Sequence, residues 1–170
     1  MSNHAADIEA LLHADEPLGA AIAELDVAAL TWKPTPSAWS VTEVLVHLAD
    51  HLIVVSFRIR EILSGSSVRL PAFSQDPWVE GQYGNEAEAA DVLAGYRALL
   101  AYNARLLRRL SPADWAKEAV NAKGERVSLA DVVRGFNAHV LRHVGQIERI
   151  KAGVAAAEQR GGALPEREGA

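Results

Sequence analysis

The sequence predicts an all-α fold of four helices. Two observations lead there: four segments repeat apolar residues at the three-and-four spacing of a helix face, and almost nothing alternates with the two-residue period of a half-buried strand. A third concerns size. At 170 residues, with 49% hydrophobic and 23% charged side chains, the chain can bury a sizeable core and is too apolar for disorder along most of its length. One domain over residues 1–155 is expected, followed by a tail at 156–170 rich in Ala, Gly, Glu and Arg whose last ten residues, GGALPEREGA, should fray.

Helix one is read from Ala6 to Leu30, on Ile8, Leu11, Leu12, Leu18, Ile22 and Leu25, with Pro17 positioned to break or kink its middle. The connector TWKPTPSAW follows; its prolines and its flanking Trp32 and Trp39 suggest a rigid turn pinned by aromatic packing. Ser40 and Glu43 have capping-box spacing and open helix two, whose stripe of Val41, Leu45, Leu48, Leu52, Val55, Ile59 and Ile62 stops at Ser64-Gly65. Residues 66–85 hold two prolines, two glycines and no sustained period, and are read as a loop. This loop exceeds the usual bundle connection of about 2–8 residues, so it should cross the bundle or cover a site. A crossover would let helices two and three run parallel.

Helix three spans Glu86 to Leu110 and is followed by the turn signal SPAD and a second irregular stretch, WAKEAVNAKGERV. Ser128 then caps helix four, whose broad stripe carries Leu129, Val132, Val133, Phe136, His139, Val140, His143, Ile147 and Ile150, with the tail beginning past Gly153.

Charge and composition exclude several function classes. Seventeen Lys and Arg against 22 Asp and Glu give a formal charge of −5, which favours solubility and argues against nucleic acid as a partner. With no cysteine there is no disulfide and no thiol nucleophile, so any metal must be held by His, Asp or Glu. The opening MSNHAADIEALLHADEPLG has no cationic segment leading into an apolar one, and no apolar stretch approaches the ~18 residues of a membrane span. A cytoplasmic protein without a membrane partner is expected.

Chemistry gathers on two histidine pairs at i, i+4: His47 and His51 on helix two, His139 and His143 on helix four. Residues four apart share a helix face, so each pair can aim two imidazoles at one point. His139 and His143 fall within the core-facing stripe, and His47 at an edge of the core. A lone histidine on an apolar face is more often a satisfied core residue than a ligand. Two in one stripe, with a third from another helix and no cysteine available, make a three-imidazole metal site the more economical account.

The segments W-x-P-T-P-S-A-W-S-V-T-E-V-L-V-H-L-A-D-H at 32–51 and H-V-L-R-H-V-G-Q-I at 139–147 resemble the DinB/YfiT-like superfamily of metal-dependent enzymes, which includes bacillithiol and mycothiol transferases. The resemblance covers nearly the whole chain apart from the tail. It implies a four-helix bundle with up-down-down-up topology, a metal held by His47, His139 and His143, and a homodimer. His51 lies outside that ligand set, as a surface residue, a donor behind the ligands or a replacement ligand. Asp50 points away from His47 on an ideal helix, which suits solvation or a salt bridge. Gln146 follows the family pattern without an assigned role, or simply packs. Asp76 and Trp78, in FSQDPWVEG, resemble a loop of the YfiT-like branch that walls a pocket; an Asp-Pro turn explains the same letters. Trp32, Trp39 and Trp115 read as core and connector packing.

The cofactor expected is a divalent ion, zinc or nickel first, with iron or copper as alternatives. Three neutral imidazoles leave it an open position, which serves either a hydrolase or a transferase that joins a small thiol to an electrophile. The partner is then a small molecule, in the second case a low-molecular-weight thiol. The rival is a non-catalytic metal-binding dimeric bundle, structural or stress-related. A fourth protein ligand such as His51 would close the site and favour it.

Overall fold

The computed structural model describes residues 4–66 and 69–160. The ten residues from 161 on, where fraying is expected, lie outside the described residues. The fold is all-α, a four-helix bundle of up-down-down-up topology with one two-stranded hairpin.

The first arm is not one helix but three: α1 (Ala5–Leu12), α2 (Glu16–Ile22) and α3 (Val27–Thr31). Pro17 causes the first break. It has no amide hydrogen to give and sits in the first turn of α2, where none is needed. Asp26 causes the second, because its Oδ1 accepts from the Ala29 amide (2.8 Å) and restarts the helix as an N-cap.

Helix α4 (Val41–Ser64) begins and ends where the sequence places it. The Glu43 amide donates to Ser40 Oγ (3.0 Å), and the Ser40 amide donates to Glu43 Oε2 (2.8 Å). The end is Gly65, at φ +66°, a left-handed conformation that costs glycine nothing and other residues about 1–2 kcal/mol.

Residues 66–85, read as a loop, contain helix α5 (Gln75–Gly81) and a 3-10 turn at Gly84–Glu86. The short α5 shows no period of its own because it buries only Val79, so periodicity could not reveal it. Helix α6 (Ala89–Leu107) starts three residues later than expected, the 3-10 turn occupying that place. After α7 (Pro112–Trp115), the second irregular stretch folds into the antiparallel strands β1 (Glu118–Val120) and β2 (Arg126–Ser128). The Leu70 amide donates to Val120 O (2.8 Å), which ties the crossover segment to the hairpin. Helix α8 (Leu129–Gln159) runs past Gly153 to Gln159. Gly153 does not stop it, because the missing side chain is needed for packing: a Cβ there would lie 2.9 Å from the Trp32 ring.

Contacts between the arms fix their directions. Val46 and Val92 line one cavity and Leu63 and Leu106 another, so α4 and α6 run parallel. His47 meets His143 while His51 meets Phe136, so α8 is antiparallel to α4. Arg134 and Asn137 bond to Asp7, and Trp32 packs at Gly153, so the first arm runs alongside α8 in the same direction. The core between them includes Leu11, Leu45, Leu52, Leu100, Phe136 and Ile147, each essentially without solvent contact and contributing about 1.5–3 kcal/mol by burial.

Candidate metal centre

Antiparallel packing of α4 against α8 brings three of the four paired histidines to one point. His139 Nε2 stands 3.3 Å from His47 Nε2 and 3.1 Å from His143 Nε2. All three ligand atoms lie within 4.8 Å of one another. Metal–imidazole bonds of about 2.0–2.1 Å in a tetrahedron would set neighbouring nitrogens roughly 3.3–3.4 Å apart, so the spacing observed accommodates a cation with little movement.

The protonation pattern suits the same purpose. His143 Nδ1 bonds to Gln146 Oε1 (2.8 Å) one turn further along α8. With an oxygen accepting, the proton sits on Nδ1 and the Nε2 lone pair is left facing the other two rings. This is the role that the sequence left unassigned for Gln146. Burial, then the charges of His143 and His51, push His47 down to about 3. Burial also takes His139 to about 3, helped by His143, His47 and Arg142, and it lowers His143 against the opposing bond to Gln146. All three imidazoles are therefore uncharged at neutral pH, the state in which they ligate.

His47 sits deeper than the helical wheel implies, at 1% exposure. Residues distant on the wheel cover it: Trp39 packs from the connector at 4.9 Å, and Phe73 from the crossover segment stacks on it at 5.8 Å with planes 7° apart. Trp39 also stacks on His143 at 6.4 Å, so this connector tryptophan belongs to the site surroundings as well as to the packing. Phe73 gave no signal in the sequence, lying in a segment without a period. Trp78 meets Phe73 edge-on at 5.0 Å. Asp76 joins Trp39, His143 and Gln146 around a wide-mouthed cavity of about 270 Å³.

His51 stands beside the trio rather than in it. Its ring is 4.0 Å from that of His139 and stacks on Phe136 at 6.0 Å, and its Nδ1 is buried without a partner. Among the described residues, the only group able to hold an ion is His47, His139 and His143. Asp50 is buried and, among the described residues, forms no salt bridge; its Oδ2 accepts from Gln82 Nε2 (2.6 Å). The segment leading into the 3-10 turn brings Gln82 over it, and burial holds its carboxyl above the usual range, partly offset by that bond.

A cavity of about 340 Å³ opens next to His139 and His51, between α4, α8 and the hairpin. Its polar rim includes Arg58, Arg142, Lys123 and Asn121. Neither arginine stood out in the sequence, since each looks like an ordinary solvated position on a helix.

Comparison with known proteins gives a family and structures of similar fold. The family model described as the DinB superfamily matches residues 11–147. The comparison with curated proteins returns no match. Among solved structures, YfiT from Bacillus subtilis, described as a probable metal-dependent hydrolase with an unusual four-helix bundle topology, superposes with a TM-score of 0.81. It shares 18% identity, over 96% of this chain and 91% of its own. The mycothiol-dependent maleylpyruvate isomerase superposes with a TM-score of 0.67 at 14% identity, over 95% of this chain and 73% of its own. At such identities the likeness is one of fold.

Proposed function

The chain belongs to the DinB superfamily, and on that footing we propose that it is a divalent-metal-dependent enzyme, a hydrolase or a small-thiol S-transferase, with His47, His139 and His143 as the metal ligands. The observation that carries this reading is the convergence of three uncharged imidazoles, from two helices, with no fourth candidate ligand in the group among the described residues. Three ligands and a free position suit catalysis, whereas structural zinc is normally closed by four, so the non-catalytic bundle has less support. When bound, the ion supplies Lewis-acid activation of a nucleophile, lowering a water's pKa from 15.7 to about 7 or keeping an incoming thiol deprotonated.

The protein's own residues have simpler tasks. Gln146 holds the His143 proton at Nδ1 and so keeps Nε2 available. Trp39 and Phe73 shield His47 from water, while one cavity opens beside His139 and His51 and another beside His143, so a small molecule has two approaches to the centre. The absence of cysteine fits the transferase version, in which the sulfur arrives with the cosubstrate. The description of the fold relative as mycothiol-dependent also favours a thiol, whereas that of YfiT favours hydrolysis.

Elemental analysis of the purified protein tests the ligand set. Wild type and His51→Ala are expected to carry about one equivalent of a divalent metal, and His143→Ala to lose it. A wild type that stays metal-free and cannot be reloaded would defeat the proposal. Metal loss in His51→Ala to the same extent would make the site a closed one. Consumption of a generic thiol with an electrophile, against ester or amide hydrolysis, then separates the two reactions.

A further inference from the structure

The cavity beside His139 has an electrostatic character that the metal centre does not explain. The whole chain carries a formal charge of −5, yet Arg58, Arg142 and Lys123 meet at this one cavity. No carboxylate among the described residues forms a salt bridge with any of the three. The two acids on the same rim are already engaged. Glu125 Oε2 accepts from Asn121 Nδ2 (2.8 Å), and Asp131 Oδ2 accepts from Ser128 at the start of α8 (2.6 Å from Oγ, 2.9 Å from N).

Arg58 is the most informative of the cations. It is half-buried, its Nη2 donates to Pro71 O (3.0 Å), and its Nε is buried with no partner at all. A guanidinium has five donors in a planar fork, and with Nε occluded the ones that a ligand in the cavity can meet are those on the outer nitrogens. Arg142 extends from the face of α8 that carries His139, one turn away, and its charge is felt at His51, His139 and His143. The two arginines thus approach the cavity from different helices, while Val55, Leu70, Val127, Val132 and Phe136 give it an apolar wall.

We propose that this cavity recognises a small organic acid, whose carboxylate is held by Arg58 and Arg142 and whose carbon skeleton lies along the apolar wall towards His139. The volume falls within the usual range for small-molecule sites, about 300–1,000 Å³. Planar bidentate recognition matches a carboxylate to an arginine, and the apolar wall gives the carbon skeleton a place that inorganic phosphate would leave unused. The inference rests on the metal-centre reading only in saying which end of the molecule reacts; binding of the acid does not need the metal.

The test uses chelator-treated, metal-free full-length protein and isothermal titration at neutral pH, with succinate as the acid and succinamide as its uncharged counterpart. Succinate should bind at one site, and succinamide about tenfold or more weakly, the scale of one charge-assisted hydrogen bond. Arg142→Gln, an exposed position, and Arg58→Gln should each weaken succinate about tenfold, and Arg58→Lys less than Arg58→Gln. Melting temperatures identify any variant that fails to fold, and Arg142→Gln alone then carries the comparison. No succinate binding, equal binding of succinamide, tighter binding of phosphate than of succinate, or indifference to Arg142→Gln would each overturn the proposal. Metal uptake is measured on the same proteins. If the wild type takes up no metal yet binds succinate as described, the metal-centre reading fails and the acid site stands; intact metal uptake with no succinate binding gives the reverse.

Discussion

Single side chains decide how the three nitrogens are presented. Gln146 is the residue whose importance was least visible beforehand, because one turn beyond His143 it looks like ordinary helix packing. Replacing it with Leu removes the acceptor for the His143 Nδ1 proton, and metal affinity should drop about 10–100-fold, read by competition with a colorimetric chelator. Gln146→Glu keeps an acceptor and should retain most of the affinity. Asp50 makes a different prediction, of stability against pH. Burial raises its carboxyl pKa in the folded state, so the folded protein holds this proton more tightly than the unfolded chain does. Its contribution is therefore most favourable below the unfolded value of about 3.9 and is lost as pH rises through the higher folded value. Asp50→Asn, which keeps an acceptor for Gln82, should raise the melting temperature at pH 7 and change it less near pH 3. An equal shift at both pH values would show that ionisation of Asp50 is not the cause.

At the level of elements, legibility followed the length of the helix and the strength of its ends. Helix α4 was readable at both termini, since Ser40, Glu43 and Gly65 are residues whose side chains, or lack of one, determine the local backbone. Helix α8 was readable at its start for the same reason, with Asp131 completing the box at Ser128. Ser128→Ala should cost about 1 kcal/mol, measured as a shift of the urea midpoint at constant slope. Short elements were less readable. Pro17 marked the first break, as expected, but the second comes from one capping aspartate inside an otherwise continuous apolar pattern, and the hairpin's three-residue strands are too brief to show alternation. The helical wheel placed His139 and His143 on the correct face, but it could not anticipate Trp39 and Phe73. Those two reach His47 from the connector and the crossover, and no single-helix pattern describes their approach.

At the scale of the whole molecule, the length of the segment between α4 and α6 pointed to parallel neighbours, and the resemblance to a known family supplied the order of the arms. The cavity that gathers Arg58, Arg142 and Lys123 belongs to neither source, because it exists only where two helices and the hairpin meet. The same crossover governs when the ligand cluster can form. His47 and His139 are 92 positions apart in the chain, and α8 is made after α4 and α6. A chain in which that helix has not yet docked offers passing cations one isolated imidazole pair from α4, so on the proposed ligand set selective capture has to await docking of α8. On that reading, loading would follow assembly of the bundle and would discriminate finished molecules from unfinished ones.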